Sequence, residues 1–192
     1  MAEVVLFHHV QGRTSGVMSF AETLRRAGHI VHVPDLFDAR TFGTLEDGMS
    51  YAREVGFDVL LERGVAASET LSSAVVYAGF SFGAMPAQQL AQTRPGARGA
   101  LLLHACLPVA ELGDQWPPGV PVQVHGMDAD PFFAEEGGDL DAARELVGST
   151  EQAELFLYPG DQHLFTDSSL QAYDPSAAAL VMERVLGFLE RV

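Results

Sequence analysis

The sequence predicts an α/β protein: a mostly parallel sheet of about six or more strands with helices on both faces. Two observations carry this. Short apolar runs alternate with longer amphipathic segments along the whole chain, and the apolar runs read as buried on both faces, which is the pattern of a parallel sheet covered above and below. In addition, 192 residues that are 47% hydrophobic and 19% charged can bury a substantial core as one domain spanning residues 1–192.

The elements follow in order. "EVVLFH" (3–8) is a strand. "SGVMSFAETLRRAG" has apolar residues at helical spacing, with Ser15 as candidate N-cap and Gly28 placed to end the helix. "HIVHVPD" (29–35) is a second strand, stopped by Pro34. Residues 44–71 are helical in pattern, with Thr44 and Asp47 forming a capping box and Gly56 splitting the stretch into two helices. "SAVVYAGF" (73–80) is the third strand, and a helix runs from about Phe82 to Thr93, with Pro86 tolerated in its first turns. "GALLLHA" (99–105), "VPVQVHG" (120–126) and "AELFLYPG" (153–160) are the remaining strands. A helix begins near Asp139, and a last one begins after Asp174, with Pro175 at its first position.

Charge narrows the partners. The formal net charge is −15, with 11 arginines and no lysine, which argues against nucleic acid or an anionic membrane. No apolar run reaches the roughly 18 residues of a membrane span, the N-terminus reads as a strand, and the single Cys106 excludes an internal disulfide, so a cytoplasmic protein, monomer or homodimer, is expected. No H-x-x-x-H or C-x-x-C pattern is present, and neither a metal nor a cofactor is expected. "HHVQGRTSG" lacks the glycine and lysine spacing of a phosphate loop.

The chemistry concentrates at "GFSFG" (79–83), where a strand turns into a helix. A serine there is lifted above the sheet edge, small residues at 79 and 83 avoid collision with the neighbouring strand and helix, and the helix N-terminus favours a developing oxyanion. A serine hydroxyl needs a base to become a nucleophile, and the base needs an acid to orient it. His163 follows the last strand, and Asp128 and Asp130 follow the strand before it, in the order Ser, Asp, His of the α/β-hydrolases. Asp130 is favoured over Asp128 because Pro131 restricts its backbone and Phe132 and Phe133 shield it. His8 and His9 point to opposite faces, with His9 able to face the site. His104 and His125 read as packed core histidines and Cys106 as a small buried apolar residue.

Over nearly its whole length the chain resembles the dienelactone hydrolase family of α/β-hydrolases. The matching stretches are "VVLFHHVQG", "HIVHVPDLF", "GFSFGA", "VQVHGMDADPFF" and "YPGDQHLFTD". The resemblance implies a compact hydrolase without a lid domain, with nucleophile Ser81, acid Asp130, base His163, and an oxyanion hole from the N–H groups of Phe82 and Val10. It also implies a small ester or lactone as substrate. Three positions depart from it: Ser81 stands where the founding enzyme has cysteine, His9 where a glutamate is expected, and Asp167 where an arginine would hold a substrate carboxylate. Arg40 remains a candidate for that contact, and a less charged ester or lactone is as plausible a substrate as dienelactone. Phe37, Trp116, Phe132, Phe133, Leu164 and Phe165 are candidate substrate walls. The alternative is a catalytically silent binding or regulatory protein on the same fold.

Overall fold

The computed structural model describes residues 1–192. Six parallel strands, β1 (Glu3–Phe7), β2 (Ile30–His32), β3 (Val76–Phe80), β4 (Gly99–Leu103), β5 (Val122–Met127) and β6 (Ala153–Tyr158), form one sheet in the order β2-β1-β3-β4-β5-β6. The helices are α1 (Ser15–Arg26), α2 (Leu45–Val55), α3 (Phe57–Glu69), α4 (Ala84–Thr93), α5 (Val109–Leu112), α6 (Asp139–Ser149) and α7 (Pro175–Arg191). This is the α/β-hydrolase-like fold.

Alternation along the strands separates two cores. Val5, Phe7, Tyr77, Leu102 and Val124 point to one face and pack with Tyr51, Ala87, Leu90 and Leu146 from α2, α4 and α6. Val4, Leu6, Ala78, Phe80 and Leu103 point to the other, against Val17 and Phe20 of α1 and Val181 and Phe188 of α7. The period of two in a strand is the cause: neighbouring residues belong to opposite cores. The edge strand β6 is only partly covered, so its pattern is less uniformly apolar than that of β3 or β4.

Several boundaries move from their expected places for local reasons. The cap of α1 is Thr14 rather than Ser15, because its hydroxyl lies three residues before the Val17 N–H that it accepts. Thr44 accepts from the Asp47 N–H, Asp174 accepts from the Ser176 and Ala177 N–H groups, and Gly56 separates α2 from α3 at φ 97°. Strand β2 is three residues long, shorter than 29–35, and the short α5 has no clear periodic signal. No helix is long and apolar enough to cross a membrane.

The strand order reverses direction about β1, with β2 on one side and β3 on the other. Ligand crevices of open parallel sheets lie at the C-terminal ends of the strands flanking such a reversal. The loops after β1 and β3 meet there.

Candidate active site

The serine turn is built by close backbone approach. After β3 the chain makes a 3-10 turn, Ser81–Gly83, before α4 begins, which places the α-helix start two residues later than expected. Ser81 itself has φ 50°, an unfavourable value for a residue with a side chain and a common mark of a functional turn. A Cβ on Gly79 would lie 2.0 Å from the Gly83 carbonyl oxygen, and one on Gly83 would lie 2.5 Å from the Phe7 oxygen in β1. The two glycines therefore let the turn fold onto itself and onto the neighbouring strand.

Ser81 Oγ lies 2.8 Å from His163 Nε2, and His163 Nδ1 lies 2.6 Å from Asp130 Oδ2. The three side chains come from the ends of β3, β6 and β5 and meet only through the sheet. Asp130 is fully buried and its Oδ1 accepts the Phe132 N–H at 2.9 Å, so both oxygens are engaged. Asp128 is exposed and accepts the Gly160 N–H at 3.1 Å, which ties its loop to the end of β6 and leaves it out of the chain of hydrogen bonds. The His163 ring also lies against Phe132, with ring centroids 4.9 Å apart.

Beside Ser81 opens a cavity of about 620 Å³. Its walls are largely apolar: Leu45 and Met49 from α2, Phe57 from α3, Phe82 in the turn and Met85 in α4, with Val10, Leu107 and Phe132. Glu46, Arg53 and Asp139 supply charge. Asp139 starts α6 and accepts the Cys106 N–H at 3.3 Å. Burial pushes its carboxyl up to about 6, and the His163 ring and the Cys106 N–H only partly offset that. His104 also lines the cavity; it sits at the end of β4 with φ 66°, its Nε2 2.7 Å from the Thr166 hydroxyl, and burial holds it neutral, well below the usual histidine range.

Of the expected substrate contacts, Phe132 lines the cavity and the others do not. Phe37 is fully buried beneath the site, packed on His8, Tyr51 and Phe82. Trp116 is held in the core with its indole N–H on the Val120 carbonyl at 2.7 Å. Phe165 and Leu164 are buried, Phe165 edge-on to His104, and Phe133 fills the space under Gly126. Arg40 stacks over Tyr51 and borders a different surface depression with Arg13 and Asp35. Large apolar residues near a site are drawn first into the core beneath it, and a loop arginine finds its own aromatic partner.

His9 is also turned away from the cavity. Its Nε2 lies 2.8 Å from Asp167 Oδ2, so two of the three positions that depart from the family pattern are each other's partners. Burial would raise the Asp167 carboxyl, but hydrogen bonds from His9, Ser169 and Thr14 outweigh it and hold the group at about 2. This pairing, and the placement of His104 and Asp139 at the cavity wall, are not visible as local patterns. Leu45, Met49 and Arg53 did carry a signal, a spacing of four on one helical face, but spacing does not say which side that face meets.

Among known structures the chain matches a dienelactone hydrolase-like promiscuous phosphotriesterase from metagenomic libraries, at 20% identity and TM-score 0.74, covering 100% of this chain and 86% of that one. It also matches a dienelactone hydrolase from Anabaena variabilis at 21% identity and TM-score 0.65, covering 99% and 86%, and a lipase in its open form at 17% identity and TM-score 0.64, covering 99% and 90%. These likenesses show the shared fold. No curated protein sequence matches the chain. The family model for dienelactone hydrolases matches residues 1–192. With the serine turn at the end of β3 and the model spanning every residue, the chain belongs to the dienelactone hydrolase family.

Proposed function

We propose that this hydrolase cleaves small, uncharged carboxylic esters or lactones by acyl transfer through Ser81, and that it does so without a cofactor. The observation that carries the reading is the unbroken chain of hydrogen bonds from Ser81 through His163 to Asp130. In this mechanism Ser81 Oγ attacks the substrate carbonyl carbon while His163 Nε2 takes its proton. Asp130 keeps the other ring proton on Nδ1 and stabilises the imidazolium. His163 then returns the proton to the departing alcohol oxygen, leaving an acyl group on Ser81. Water repeats the sequence, with His163 as base, and releases the acid.

The oxyanion is held by the N–H groups of Val10 and Phe82. Val10 lines the cavity and its N–H donates to no group of the protein, and Phe82 stands at the start of the turn that leads into α4. Each such donor contributes on the order of 3–4 kcal/mol to the transition state. The substrate class follows from the walls. The cavity volume is that of a small-molecule site, its lining is mainly apolar, and two of its three charged side chains are acidic. Asp167 replaces the arginine that would hold a carboxylate and is itself buried.

The reading is tested by labelling with a fluorophosphonate and by a panel of p-nitrophenyl esters of graded chain length with lactones alongside. Label on Ser81, absent from Ser81→Ala, and a preference for short neutral substrates are expected. Neither label nor hydrolysis would favour a silent binding protein.

A further inference from the structure

The strongest feature outside the Ser81–His163–Asp130 chain is a second buried histidine–carboxylate pair. His9 and Asp167 are 0% and 2% exposed. Asp167 Oδ2 takes the His9 Nε2–H at 2.8 Å and the Thr14 hydroxyl, and Oδ1 takes the Ser169 N–H at 2.8 Å and the Ser169 hydroxyl at 2.6 Å. The carboxylate also sits against the start of α1, where a Cβ on Gly16 would fall 1.6 Å from Oδ1. Asp167's own backbone is tied as well: its N–H donates to the Leu164 carbonyl at 2.9 Å, one residue from His163.

The other end of the pair controls a peptide plane. His9 Nδ1 accepts the Gln11 N–H at 3.2 Å, so Nε2 carries the proton that goes to Asp167. The His9 carbonyl accepts the Gly12 N–H at 2.9 Å and the His8 Nδ1–H at 2.8 Å. His8 is itself fixed, because its Nε2 accepts the Leu36 N–H at 3.0 Å. A trans peptide points its C=O and N–H in opposite directions. Anchoring the His9 carbonyl therefore aims the Val10 N–H away from these groups, and that N–H has no partner in the protein.

We infer that Asp167, acting through His9, is a positioning residue that holds the Val10 N–H in place and locks the loop after β1 to the loop carrying His163. The inference rests on the proposed role of Val10 as oxyanion donor. The interaction matters where negative charge develops, so its loss should lower turnover and leave ground-state binding nearly unchanged.

The test is Asp167→Asn, with every rate expressed per Ser81 site titrated to completion by a fluorophosphonate. A kcat about 100-fold lower per titrated site is expected, with KM within about threefold, because one misplaced oxyanion donor costs that much. Binding of a trifluoromethyl ketone, whose adduct with Ser81 carries an oxyanion, should weaken in the same proportion. A merely structural role would reduce the number of titrated sites and leave kcat per site at the wild-type value; that result overturns the inference. If Asp167→Asn does not fold by circular dichroism, Ser169→Ala removes one donor from the carboxylate and keeps the His9–Asp167 hydrogen bond. It should cost about threefold or more in kcat per site, and an unchanged value overturns the inference equally. Failure of the wild-type enzyme to take the label would instead refute the proposed hydrolase chemistry.

Discussion

Asp130→Asn isolates the orienting carboxylate with little disturbance of shape. Asparagine can keep its Oδ1 on the Phe132 N–H, now 2.9 Å from Asp130, and that contact fixes which way the amide lies. Its NH₂ group then replaces Oδ2, 2.6 Å from His163 Nδ1. An amide nitrogen only donates, so Nδ1 must become the acceptor and the ring proton moves to Nε2. Nε2 can no longer accept from Ser81 Oγ, 2.8 Å away, and the serine stays protonated. The reverse amide orientation sets two donors against each other at Phe132. A wrong tautomer of this kind costs on the order of 10⁴ in turnover, about 5 kcal/mol of transition-state stabilisation. Initial rates on p-nitrophenyl acetate under saturating substrate measure it, beside Asp128→Asn, which should stay near wild type because Asp128 is exposed and touches only the Gly160 N–H. An Asp130→Asn enzyme within about tenfold of wild type, or a larger loss in Asp128→Asn, would refute the assignment.

Ser81→Ala should lower turnover by about a million-fold while its thermal transition stays put, since Ser81's hydroxyl bonds only to His163; more than a few per cent residual activity would exclude Ser81 as nucleophile. Gly83→Ala should lower the melting temperature by at least about 3 °C in calorimetry, because its Cβ would lie 2.5 Å from the Phe7 oxygen and backbone must move; an unchanged transition would mean that the turn is not closely packed. Asp139→Asn tests the cavity carboxyl. With its pKa raised from 3.8 to about 6, the folded state holds a proton that the unfolded chain has already released, so wild-type stability falls as pH rises from about 4 to about 6 and then levels. The asparagine does not titrate, so the variant should gain up to about 3 kcal/mol over wild type at pH 8, less whatever water in the cavity relieves, and little at pH 4. Denaturant melts at the two pH values decide it, and a variant less stable at pH 8 would contradict the sign.

Periodicity and backbone sterics act over a few residues, and what depends on them is readable along the chain. The six strands and most of the helices lie close to their expected places, as do the caps at Thr44 and Asp174. The need for Gly79 and Gly83 around Ser81 is local too, since the turn must pass over its own backbone and over β1. Contacts between loops that leave different strands have no such signature. Asp167 and His9 are 158 residues apart, and only the sheet order, with β1 beside β3 and α1 beside the loop after β6, brings one onto the other. The same holds for the cavity. Phe37, Trp116 and Phe165 are as apolar as Met49, Phe57 and Met85, but the first three are consumed by packing beneath the loops and the second three are left facing Ser81. Hydrophobicity tells a side chain to leave water; which neighbour it leaves water for is decided by how the two layers of helices close over the sheet.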